Sequence, residues 1–136
     1  MAILRAVATI GLLFLVGCSS GPTLNLDQIQ QKRVFALTRE NAVDATRIFA
    51  RKEGFIVDSI EDETGRFVGH RVVATRGRES RTIIMNLRIT AVDSGHTEVL
   101  TRFTFAQMSQ TATREEEGML IDCYYSLYQI LESAAN

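Results

Sequence analysis

Apolar residues recur with two different periods along this chain, and the changes of period mark its elements. From Ile83 to Ala91 the apolar positions Ile83, Met85, Leu87, Ile89 and Ala91 alternate, while Thr82, Asn86, Arg88 and Thr90 lie between them. A period of two predicts a strand with one buried face and one wet face. After Asp93-Ser94-Gly95-His96, Val99, Phe103 and Phe105 share one face of a second strand. Setting Leu87 against Phe103 and Met85 against Phe105, around an odd-length loop at Gly95, brings the two apolar faces together. A one-residue slip would instead place Leu87 opposite Arg102. The same register sets Arg88 against Arg102 on the wet face, which is mildly unfavourable unless an acid or a ligand sits between them. The last segment changes to helical spacing: Leu120, Cys123, Tyr124, Leu127, Ile130 and Leu131 form one stripe. Thr113 and Glu116 stand in capping-box spacing, and Glu115 to Glu117 lie in the first turn, where the helix dipole favours acids.

Upstream, Arg33 to Leu37 reads as a short strand. Asn41 is placed to cap a helix with Ala42, Ala45, Ile48 and Phe49 on one side, and Gly54 supplies its stop. Phe55 to Ile60 and Phe67 to Thr75 read as strands around a turn at Asp62 to Gly65, and Arg76 to Ser80 reads as a loop. The order is strand, helix, four strands, helix. Both helices need to bury a stripe against the apolar side of the strands. The expected fold class is therefore α+β: two layers, a four- to five-stranded antiparallel sheet with both helices on one face. Residues 32–136 are expected to form this single domain.

The first seventeen residues follow neither period. They hold one charge, Arg5, then an apolar run from Ala6 to Val16, the layout of a signal peptide. Twelve residues from Ala6 to Gly17 at about 1.5 Å each reach roughly 18 Å, short of a bilayer core of about 30 Å. The run ends in Leu15-Val16-Gly17-Cys18, which resembles the lipobox of bacterial lipoproteins. The resemblance implies cleavage of residues 1–17 and diacylglyceryl attachment to the Cys18 thiol, giving a membrane anchor. It also implies, through Ser19, a periplasm-facing location at the outer membrane, with the inner membrane as the other possibility. Residues 18–31 then form a lipidated tether of small and polar residues. In element order, the rest resembles the helix-grip domains of outer-membrane-assembly accessory lipoproteins of the BamC type.

Composition narrows the chemistry. The chain of 136 residues has a formal charge of −1, or near −2 once Arg5 is removed, so nucleic acid is not an expected partner. Two cysteines and two histidines leave little for a disulfide framework or a zinc site. With Cys18 lipidated, Cys123 has no partner in the chain. Cys123 and His70 could be posed as nucleophile and base. However, Cys123 lies in the apolar stripe and His70 between Val68 and Val72, so both read as core residues, and His96 as a solvated turn residue. Glu61-Asp62-Glu63 lacks the spacing of a calcium loop, and no phosphate-cradling or nucleophile-elbow motif occurs. No cofactor or metal is expected, and no enzyme.

Arginine outnumbers lysine thirteen to two. Arg76, Arg78 and Arg81 share the expected loop, and Arg71, Arg88 and Arg102 a sheet face. Guanidinium groups suit carboxylates and phosphates. Against this stands a basic surface balanced by nearby acids. The leading expectation is a non-enzymatic envelope scaffold or assembly accessory, meeting a partner protein through Arg76, Arg78, Arg81, Arg88 and Arg102. The alternative is a binding module for a lipid or other apolar ligand, in a cavity lined by Met85, Phe103, Phe105 and Leu127. A third option is an enzyme using His70.

Overall fold

In the computed structural model, Leu26 and residues 29–74, 80–106 and 113–136 are described. Thr38 starts the first helix, α1 (Arg39–Glu53): its extended backbone and its Oγ1, which accepts the Asn41 N–H at 3.2 Å, form the N-cap. The helix thus begins three residues earlier than the Asn41 signal suggested, and Asn41 is the capped residue rather than the cap. Threonine and asparagine are both good caps. Starting at Thr38 turns the small residues Ala42, Ala45, Thr46 and Ala50 inward with Phe49. Ile48, expected on that face, is 58% exposed. Gly54 ends α1 in the left-handed conformation (φ 76°), as its position after the helical period predicted.

Five strands, β1 (Lys32–Phe35), β2 (Ile56–Glu61), β3 (Arg66–Val73), β4 (Arg81–Asp93) and β5 (His96–Phe105), form an antiparallel sheet in the order β1-β5-β4-β3-β2. The final helix α2 (Arg114–Ala135) starts at the Thr113–Glu116 capping box and runs to the C-terminus. The α+β, two-layer expectation holds. Both helices lie on the face carrying Phe67, Ile83, Met85, Leu87, Ile89, Val99, Phe103 and Phe105, all buried. On α2 the buried stripe is Glu116, Leu120, Cys123, Tyr124, Leu127, Tyr128 and Leu131.

The β4–β5 register differs from the expected one by two residues. Met85 faces Phe103, Ile83 faces Phe105 and Leu87 faces Thr101. The turn is short, with only Ser94 and Gly95 between the paired Asp93 and His96, and Val92 is an extra residue on β4. The Asp93 carboxylate accepts the Gly95 N–H at 2.9 Å and closes it. The apolar faces still meet, because a two-residue slip preserves face and changes only partners. Arg88 now faces Leu100 on one side and Arg66 on the other, and Arg102 faces Asn86.

The core centres on Phe103. Its ring lies 4.9 Å from Tyr124, 5.8 Å from Phe49 and 5.9 Å from Phe55. Where β5 runs past the start of β1, the Phe103 backbone N–H donates to the Tyr124 hydroxyl at 3.0 Å. One helix side chain therefore both fills the core and satisfies a strand group.

Candidate functional site

Every second strand residue points away from the helices, and no described element covers that side of the sheet. Pairing sets these residues in rungs. Lys32, Leu100, Arg88, Arg66 and Glu61 form one rung across all five strands. Arg102, Asn86, Val68 and Ser59 form the next, and Thr104, Ile84, His70 and Ile56 the one after. The face is part apolar: Val34, Leu100, Ile56 and Val72 are 55%, 42%, 61% and 63% exposed.

The strand arginines divide by face. Those on the helix side are paired. Arg33 meets Glu132 and lies over the Phe35 and Tyr128 rings. Arg71 lies 3.8 Å from Glu53 and over Phe55. Arg81 meets Glu116 and lies over Phe105 at 4.4 Å. On the open side, Arg66, Arg88 and Arg102 are exposed, and among the described residues none forms an ion pair with a carboxylate.

This division corrects two expectations. Arg71 does not share a face with Arg88 and Arg102; it lies opposite Ile83 on the helix side. Arg81 is not a loop residue offered to a partner; it opens β4 and is held by Glu116. Arg76 and Arg78 lie outside the described residues. Arg66, in addition to the expected arginines, stands beside Arg88 on the open face.

Glu116 forms the expected capping box with Thr113, and it is more buried than its neighbours Glu115 and Glu117. It is fully buried, because its position four residues before Leu120 places it on the apolar stripe. Its Oε1 accepts the Thr113 N–H at 3.0 Å and its own N–H donates to Thr113 Oγ1 at 3.2 Å. The Thr113 N–H, and then the Arg81 guanidinium, hold its carboxyl below the ordinary value, against the opposing effect of burial. A depressed folded-state pKa contributes stability that is present above the unfolded value of 4.5 and is lost as pH falls through the folded value. Urea midpoints measured downward from pH 5 are expected to fall more steeply for wild type than for Glu116→Gln, which carries no titrating group there.

His70 is on the open face rather than in the core. Its Nδ1 lies 2.8 and 2.9 Å from the two Asp58 carboxylate oxygens. The pairing shift between Val57 and Ser59 leaves Asp58 as the extra residue of β2, which brings its carboxylate to the face. Cys123 is in the core, as expected, on the other side of the sheet from His70. Burial pushes its thiol up to about 12, so the two residues form no nucleophile–base pair. His96 sits in the exposed turn, 2.9 Å from Asp93, as expected of a solvated residue.

The four residues expected to line an apolar cavity are core residues: Met85, Phe103, Phe105 and Leu127 are 0%, 2%, 3% and 0% exposed. Two surface cavities lie elsewhere. One of about 490 Å³ lies between the start of α1 and the β2–β3 turn, lined by Arg39, Asp44, Glu61 and Gly65 among others. The second, about 390 Å³, lies by Arg47, Arg51, Phe55 and Val57. None of the four expected residues lines either one. Among the described residues, no cluster of His, Cys, Asp or Glu is placed to hold a metal ion. No described helix is long and apolar enough to cross a membrane. Cys18 lies outside the described residues. No protein-family model matches the sequence, and no curated protein is significantly similar to it.

Proposed function

We propose that this chain is a membrane-anchored envelope lipoprotein that works as a non-enzymatic scaffold or assembly accessory, with the open face of its sheet as the contact surface for a partner protein. The observation that carries the reading is the division of the strand arginines: three paired on the helix side, and three with no carboxylate partner among the described residues, set among exposed aliphatic residues on the open side. A monomeric domain gains nothing from leaving Arg88 directly opposite Arg66. An exposed surface of mixed apolar and arginine character is what protein interfaces select.

The anchor is read from Leu15-Val16-Gly17-Cys18 at the end of an apolar run. Two or three acyl chains hold a protein at a membrane where a single chain is marginal. A short tether from Cys18 then keeps the domain near the bilayer and raises its effective concentration toward envelope partners. Ser19 supports the outer membrane, facing the periplasm.

Labelling cells with tritiated palmitate tests the anchor. The wild-type chain is expected to take up label, fractionate with membranes and lose residues 1–17, and Cys18→Ser to do none of these. A Cys18→Ser chain that stays membrane-bound and fully functional overturns it.

A further inference from the structure

We propose that the open face binds an acidic amphipathic helix of a partner protein, whose apolar stripe seats on Leu100, Val68 and Ile84 and whose carboxylates meet Arg66, Arg88 and Arg102. This rests on the open face being the partner surface. Its first support is charge. Arg66 and Arg88 are direct neighbours on β3 and β4, and Arg102 lies one rung away on β5. The planar guanidinium fork pairs bidentately with carboxylates, and carboxylates arriving from outside relieve the repulsion that the free face carries.

The second support is shape. Adjacent strands are about 4.8 Å apart, so β3, β4 and β5 together present a strip about as wide as a helix of roughly 10–12 Å diameter. A helix laid along β4 covers the three arginines and the apolar positions between them. It leaves Glu61 and Asp58, on β2, outside its footprint. A uniformly anionic lipid surface would press against those two carboxylates as well, whereas Glu98, on β5 within the strip, is met by Lys32 at 4.0 Å. A helix layer also completes this side of the sheet as α1 and α2 complete the other.

The remaining occupants fit less well. The chain outside the described residues offers only Asp27 and Glu79 as acids, too few to answer three arginines. A second copy placed face to face would bring guanidinium groups against guanidinium groups.

The test uses the full chain in dodecyl maltoside micelles, titrated with a fluorescein-labelled helical peptide of Leu, Ala and Glu with leucines three and four residues apart. Binding of this peptide is expected, with the Arg66→Glu, Arg88→Glu, Arg102→Glu chain about tenfold or more weaker. The charge-matched Arg47→Glu, Arg51→Glu, Lys52→Glu chain, altered on exposed positions of α1, is expected to bind like wild type. If circular dichroism shows the first variant unfolded, the corresponding triple Gln variant takes its place with the same expectation. The proposal is overturned by equal weakening in both charge variants or by equal binding of a Lys-for-Glu peptide. It is also overturned by binding only to phosphatidylglycerol-doped micelles, or by self-association without peptide binding. If the peptide fails while crosslinks from the open face still reach an envelope protein in cells, the helix assignment falls and the contact surface stands; if both fail, the surface itself falls.

Discussion

Phe103→Ala is expected to lower the unfolding free energy by about 3–5 kcal/mol, the range for removing a fully buried ring from a packed core. Phe103 sits among the rings of Phe49, Phe55 and Tyr124, with Met85 directly opposite on β4. These neighbours belong to α1, α2, β4 and the link between α1 and β2, so no single element can shift to refill the space. The backbone N–H of Phe103 keeps its bond to the Tyr124 hydroxyl only while that ring stays in place. Urea denaturation of wild type and variant measures the difference. The value also separates core from ligand cavity. A ring lining an open cavity loses few packing partners when truncated, so a cost below about 1 kcal/mol would return Phe103 to the apolar-ligand reading.

Gly65→Ala is expected to cost about 3 kcal/mol, although it adds one methyl group. Gly65 adopts φ 72° in the β2–β3 turn, a region that alanine enters at a cost of about 1 kcal/mol. A Cβ built there would stand 2.0 Å from the backbone oxygen of Ile89. That oxygen belongs to β4 and cannot rotate aside, so the turn or the central strand must move, at a further cost of about 1–3 kcal/mol. The Ile89 N–H donates to the Gly65 carbonyl at 2.8 Å, and the same movement strains this bond. Gly54→Ala is the control. Gly54 has nearly the same φ, 76°, with nothing within 4 Å of its built Cβ, so its cost is expected to be only about 1 kcal/mol. The difference between the two variants isolates the close approach, and equal costs would contradict it.

The fold class was legible because alternation on β4 and β5 and the helical stripe of α2 leave no other way to bury their apolar faces. The register was not. Hydrophobic period is blind to a two-residue slip, and what decides it is the two-residue turn with Val92 bulged out, a backbone feature. Tyr128, eight residues after Leu120, belongs to the stripe by helical period and is buried where Ile130 is only half-buried; its hydroxyl donates to the Gln30 carbonyl at 2.6 Å, a partner 98 residues away.

The candidate face was half legible. Arg88 and Arg102 lie at the wet positions that alternation assigns to them. Arg71 could have been placed as well: it has the same parity as Phe67, so it turns inward whenever Phe67 does, and by the same rule Arg66 turns outward. Asp58 beside His70 was beyond reach, because it depends on the irregular pairing of β2. Arg81 depended on a long-range partner, Glu116, 35 residues away, which capping-box spacing does not reveal.

The side of the sheet that meets other molecules is open to direct measurement. A photoreactive benzoylphenylalanine placed at Asn86 or Leu100, on the open face, or at Asp122 or Gln129, exposed on α2, reports this in intact cells. Crosslinks to one discrete envelope protein from Asn86 and Leu100, and none to it from Asp122 or Gln129, are the expected result. Crosslinks from α2 with a silent open face would contradict it.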